Sequence, residues 1–233
     1  MTKTGMAILL TDKCTASCDV CGVSCSPENN SVIDENLMLN AIRQAKEIES
    51  IIQVGFTGGE IFLFPELLKT GVNFAKESGF SVTAASNGFW GGKSAEELDE
   101  LLKDLPLDLI IFSCDLIHQK YIPYENVIRA VSACERHKIK TVISVGEMAD
   151  EFLAGKFLDS TENLKYQTRF KFYKYICVGK AVNFPREKFL PDKHKIKCCN
   201  SQESFTLRYD GEIFPCCSPA VFNSCLSLGN IKK

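Results

Sequence analysis

The chain has 233 residues, enough for one sizeable core, and its 27 Lys and Arg against 29 Asp and Glu leave a net charge of -2. That balance excludes a large basic face for nucleic acid, and 45% hydrophobic with 24% charged residues excludes a disordered chain. No apolar run approaches the roughly 18 residues of a membrane span and Met1–Met6 leads into no signal-peptide core, so a cytoplasmic protein with neither nucleic-acid nor membrane partner is expected.

In chain order, strands are predicted at Met6–Leu10, Ile51–Phe56, Phe80–Ala85, Leu107–Ser113, Thr141–Val145 and Phe170–Cys177. They are short, β-branched or aromatic and nearly continuous in apolar character, as strands buried on both faces are. Helical spacing occupies Glu35–Ser50, Pro65–Ser78, Ala95–Asp104 and Glu125–His137, with Asp34 and Ser94 as N-caps and Gly79 closing the second helix. A fifth helix, within Glu147–Leu158, is weakly signalled. Strands alternating with helices predict a parallel α/β sheet. Six such units of about 30 residues suit a partial (β/α)6 TIM-like barrel over residues 1–190, whereas a closed eight-fold barrel needs about 250. Chemistry in such sheets lies beyond the C-terminal strand ends.

From Asp192 the texture changes. A strand at Ser204–Tyr209, an Asp210-Gly211 turn and a strand at Glu212–Phe214 sit among Cys198, Cys199, Cys216, Cys217 and Cys225. Residues 191–233 read as a small appended cysteine module rather than a seventh unit.

Twelve cysteines fall below the roughly 8–10% of short disulfide scaffolds, and in a reduced compartment clustered thiols bind metal or do chemistry. After the first strand comes Cys14-Thr-Ala-Ser-Cys18-Asp-Val-Cys21, whose loop can wrap three thiolates around one centre. An iron–sulfur cluster with one open iron fits this spacing, zinc with Cys25 as fourth ligand is an alternative, and unrelated reduced thiols are a third. After the second strand stands Thr57-Gly58-Gly59-Glu60, whose glycines allow close approach of a ligand and whose carboxylate can accept from an ammonium. The plainer reading is a glycine turn with a helix-starting glutamate. Ser86-Asn87-Gly88-Phe89-Trp90-Gly91-Gly92 follows the third strand, either as polar ligand groups or as a loop whose Trp90 packs on a helix.

Together, C-x3-C-x2-C, Gly-Gly-Glu and the Asn-bearing loop after successive strands resemble the radical S-adenosylmethionine (SAM) superfamily. The resemblance implies that Cys14, Cys18 and Cys21 hold a [4Fe–4S] cluster whose fourth iron is chelated by SAM. It implies that Gly58, Gly59 and Glu60 hold the SAM amino end and that Ser86 and Asn87 lie along it. Ser113, Asp115 and Gly179 would meet its ribose and adenine, and a flavodoxin or ferredoxin type of donor would supply the electron. Cys199-x11-Gly211-x4-Cys216, followed by Leu228-Gly229-Asn230-Ile231, resembles the SPASM or twitch auxiliary-cluster domains. This implies a second iron–sulfur cluster on Cys199 and Cys216, with Glu203, Cys198 and Cys225 as candidates to complete its ligands. The further cysteines of full SPASM domains would lie beyond Lys233, so the module is either short or truncated.

Within the superfamily, Phe56–Leu63, Ser86–Gly91 and Asp210–Phe222 are similar to the radical-SAM peptide epimerases that make epipeptides, although Glu203 stands for the family's Asp. The resemblance implies a ribosomally made precursor peptide as partner and Cys217 as hydrogen-atom donor. Inversion at Cα needs hydrogen removed from one face and returned from the other, and a protonated thiol with a weak S–H bond suits the second step. Peptide cross-linking, through a thioether or a carbon–carbon bond, is the alternative activity, and a zinc-binding interaction module the alternative of another class. Cys114, Cys134 and Cys177 read as small buried hydrophobes, and His118 as a possible substrate contact.

Overall fold

A computed structural model describes residues 4–149, 168–191, 204–222 and 224–232. The fifth helix expected within Glu147–Leu158 falls almost wholly outside them, as do Cys198, Cys199 and Glu203.

The helices form where the apolar spacing and caps ask for them. In α1 (Glu35–Lys46) the Asp34 carboxylate accepts from Leu37 N at 2.9 Å, and Met38, Ala41, Ile42 and Ala45 make the buried stripe. Pro65 opens α2 (Pro65–Glu77), which buries Leu68, Gly71, Val72 and Ala75. A Cβ on Gly71 would stand 2.8 Å from Phe56 and 2.9 Å from Met38, so this glycine lets the helix lie close to the sheet. Gly79 follows at φ +92°. Ser94 and Glu97 close a capping box on α3 (Ala95–Leu102). In α4 (Tyr124–Arg136) the buried residues are Val127, Ala130, Val131, Ala133 and Cys134.

Between them run β1 (Thr4–Leu9), β2 (Ile51–Thr57), β3 (Ser81–Ser86), β4 (Leu109–Ser113), β5 (Lys140–Glu147) and β6 (Arg169–Lys174). Each is parallel to its neighbour, in the order β6-β5-β4-β3-β2-β1. This is the mostly parallel α/β sheet expected of a partial barrel, open at β6. The strands are not buried on both faces, however. In β3 the pattern alternates, with Val82 and Ala84 sealed against the helices and Thr83 and Ala85 half-exposed. One face meets dry helix packing, while the other lines the hollow of the open barrel.

The C-terminal segment continues this sheet. β7 (Ser204–Leu207) lies parallel to the free side of β1, pairing Gly5 with Ser204 and Ile8 with Leu207. β8 (Glu212–Phe214) and β9 (Gly229–Asn230) then add antiparallel. The expected hairpin turn is present, with Gly211 at φ +93° and the Arg208 guanidinium on the Asp210 carboxylate at 2.6–3.0 Å. Cys114 and Cys134 are buried as expected, but Cys177 is exposed, because it follows β6 in a surface loop instead of extending the strand.

Candidate functional site

A cavity of about 420 Å³ opens at the C-terminal ends of the parallel strands. Strand ends contribute Leu9, Thr57, Ala85, Ser113 and Tyr173. The loop after β1 brings Cys14, Cys18 and Cys21 to the same space, and Cys217 reaches it from the C-terminal segment.

The cysteine loop is built to present sulfur. Cys14 Sγ accepts from Ala16 N at 3.5 Å and faces the Asn87 amide at 3.7 Å, while Cys21 Sγ accepts from Cys25 N at 3.3 Å. Burial pushes the Cys14 thiol up to about 11 and the Cys18 thiol up to about 12. Cys21 is drawn down to about 6, chiefly by its hydrogen bond from the Cys25 side chain, and Cys25 is correspondingly raised. Cys25 also lines the cavity. Among the described residues no three His, Cys, Asp or Glu side chains are grouped as a single metal ion would need. Thiols spaced around a hollow suit a larger centre that takes one sulfur at each of several corners.

The two glycines after β2 serve this loop directly. Gly59 donates to Thr11 O at 2.7 Å, and a Cβ there would stand 2.0 Å from Lys13 O. Gly58, at φ +141°, would place a Cβ 2.4 Å from Thr11 O. Both glycines line the cavity, but Glu60 does not. Glu60 is fully buried; Oε1 accepts from Phe62 N at 3.1 Å and Ser86 Oγ at 2.9 Å, and Oε2 from Asn87 N at 2.7 Å. Its carboxylate caps the short helix that follows and ties the loop after β2 to the loop after β3. Burial raises this carboxyl to about 7 despite the three donors. Ser86 accepts in turn from Trp90 Nε1 at 3.0 Å, and Trp90 stacks on Phe62 at 4.7 Å. Asn87 faces the cavity with its amide on Thr15 Oγ1 at 2.9 Å.

After β4, Ser113 lines the cavity and Asp115 does not. Asp115 is a buried hub. Oδ1 accepts from the backbone of Ile117 and His118 and meets His118 Nδ1 at 2.9 Å; Oδ2 accepts from Gly146 N at 3.0 Å and Tyr175 Oη at 2.7 Å. Despite its burial, the pairing with His118 holds the Asp115 carboxyl below its ordinary range, and the same pair lifts His118. His118, Tyr173 and Tyr175 all reach the cavity wall. The sequence offered a signal for the tyrosines, since residues two apart at a strand end share a face. Gly179 likewise stands off the cavity and presses on the cysteine loop, as described below.

The C-terminal segment sorts its adjacent cysteines to different surroundings. Cys216 is buried with Phe214 and Val221, and its carbonyl accepts from Thr206 Oγ1 at 3.0 Å. Cys217 is exposed to the cavity, next to Pro219 and Phe222. A Cβ on Gly22 of the cysteine loop would come 2.8 Å from Pro219, so the two segments touch.

Open parallel sheet, strand-end cavity and three-thiol loop define a partial-barrel protein with a cofactor site in its mouth. Residues 8–148, more than half of the chain, match the radical SAM superfamily, and the chain belongs to that family of cluster- and SAM-binding proteins. It is 24% identical over 231 residues to Bacillus subtilis YydG, a protein named for peptide biosynthesis, covering 96% of this chain and 72% of YydG. Streptococcus suis SuiB bound to S-adenosylmethionine matches with a TM-score of 0.56 and 16% identity over 98% of this chain and 63% of SuiB. SuiB has also been solved with its precursor peptide SuiA. The protein anSMEcpe, bound to AdoMet and the Cp18Cys peptide, matches with a TM-score of 0.61 and 13% identity over 99% of this chain and 78% of that one. At these identities the structural likeness is one of fold, and the chain spans less than two thirds of SuiB. Among the described residues, no helix is long and apolar enough to cross a membrane.

Proposed function

We propose that the chain is a radical SAM peptide epimerase, acting in the cytoplasm on a ribosomally made precursor peptide. The observation that carries this reading is the exposure of Cys217 to the cavity shared by Cys14, Cys18 and Cys21, while its neighbour Cys216 is buried elsewhere. YydG's name and the peptides bound to SuiB and anSMEcpe add support for a peptide substrate.

In this reading Cys14, Cys18 and Cys21 hold the [4Fe–4S] cluster, and the open cavity beside Gly58, Gly59, Ser86, Asn87 and Ser113 receives SAM. Cluster and SAM together supply a carbon radical able to take hydrogen from an unactivated Cα. Glu60, Asp115 and Gly179 act indirectly, by fixing the loops that carry these residues. Loss of the Cα hydrogen leaves a planar carbon centre on the peptide. Cys217 then breaks its S–H bond and delivers that hydrogen to the opposite face, which makes the D-residue. The thiyl so formed regains one electron from the flavodoxin or ferredoxin type of donor and one proton from solvent before the next turnover. Cys216, with Cys199 and Glu203, is proposed to hold the auxiliary cluster.

The test is anaerobic turnover of the reconstituted protein with SAM, reductant and a peptide encoded by a short neighbouring reading frame, in deuterated water. One deuteron gained per inverted residue, with D-residues after hydrolysis, supports epimerisation, whereas a product lighter by two hydrogens means cross-linking. Protein without labile sulfide would instead be a zinc module. The Cys217→Ala variant is expected to cleave SAM and yield no D-residue; normal inversion by that variant would remove Cys217 from the mechanism.

A further inference from the structure

The segment after β6 grips the cysteine loop from outside. Gly179 sits at φ +60°, where a Cβ would stand 2.4 Å from Gly22 O and 2.6 Å from Cys21 O. The next residue, Lys180, donates its backbone N–H to Cys21 O at 3.0 Å. Its ammonium then spans the loop, donating to Ser17 Oγ at 2.9 Å and to Cys25 O at 2.9 Å. These contacts bracket Cys18 and Cys21, and Ser17 precedes the first of them directly.

Both of the ammonium's partners are neutral oxygens, and among the described residues it makes no ion pair with a carboxylate. Its positive charge therefore has no carboxylate in direct contact among the described residues, at a half-buried site where salt screens it less than on an open surface. Its two anchors lie within the ligand loop, one residue before Cys18 and four residues after Cys21. A centre held by three thiolates is already anionic, and reduction adds one more negative charge. A fixed cation against its ligand loop stabilises the reduced form more than the oxidised one.

We propose that Lys180 is a positioning residue for the cluster: its arm fastens the loop that carries Cys14, Cys18 and Cys21, and its charge raises the cluster's reduction potential. This rests on membership of the superfamily and not on the peptide chemistry, so a failed epimerase assay leaves it standing.

The experiment uses the full chain, reconstituted anaerobically without SAM or peptide, and reads iron and sulfide content together with a redox titration followed by EPR. Lys180→Arg keeps the charge and is expected to keep the midpoint potential. Lys180→Gln keeps a donor but loses the charge. It is expected to bind iron like the parent while its reduced-to-oxidised ratio at a fixed potential falls on the order of tenfold, 59 mV for a one-electron couple. Lys180→Met loses both and is expected to bind less iron as well. A Gln variant with the parent's potential overturns the electrostatic role, and a Met variant with the parent's iron content overturns the fastening role. If the Met variant does not fold, Ser17→Ala, which removes one of the arm's two acceptors, takes its place: lower iron loading at limiting iron is expected, and the parent's loading overturns the fastening role.

Discussion

Replacing Glu60 by Gln perturbs one atom of a buried carboxylate that three donors share. A glutamine has one acceptor oxygen, so if it continues to serve Phe62 N and Ser86 Oγ, its amide nitrogen faces the Asn87 N–H. One hydrogen bond is lost and two donors oppose each other, at a cost of about 1–3 kcal/mol. The pH dependence is the sharper signature. Burial lifts the folded carboxyl to about 7, against 4.5 when unfolded, so the unfolded chain ionises first as pH rises. The native protein therefore loses stability relative to the non-titrating variant, by about 2 kcal/mol between about pH 5.5 and about pH 8. Urea unfolding at several pH values measures this, and Trp90, the only tryptophan, is its own reporter. It lies two hydrogen bonds from Glu60 and is 1% exposed. Parallel stability curves for native protein and Glu60→Gln would refute the assignment of a raised carboxyl as the tie between the two loops.

Two other changes test the scaffold. Gly59→Ala must move the Lys13 carbonyl that would lie 2.0 Å from the new methyl, so iron binding after reconstitution should fall several-fold while the far side of the sheet keeps its fold. Tyr175→Phe removes the 2.7 Å donor to buried Asp115 and should cost about 1.5–3 kcal/mol in urea unfolding, since the acceptor is charged.

Much of this architecture is legible locally. Asp34, Ser94 and Gly79 mark helix boundaries because a cap is satisfied by residues within one turn, and six strands followed from short apolar runs between those helices. The cysteine spacing brought three sulfurs to one loop for the same reason. What could not be read is where side chains turn when their partners are remote. Glu60 sits in a ligand-like motif, yet its carboxylate is claimed by residues 26 and 27 positions away. Asp115 is claimed by Tyr175, 60 positions on, and Lys180 by Ser17, 163 positions back. The turn at Asp210-Gly211 announced a hairpin, but nothing in residues 204–207 announced a parallel partnership with β1. Tyr173 and Tyr175 entered the cavity wall with only their two-residue spacing to announce them.

That last partnership has a bearing on how the molecule is made. Residues 4–9 are synthesised about 200 residues ahead of residues 204–207, so one flank of their ladder waits for that later segment. Until then the edge from which the sulfur-bearing loop springs lacks half its support, and Pro219 is not yet there to lean on Gly22. Iron loading is thereby best timed after residues 204–219 have been made, when both flanks of β1 are paired and Pro219 backs the sulfur-bearing loop.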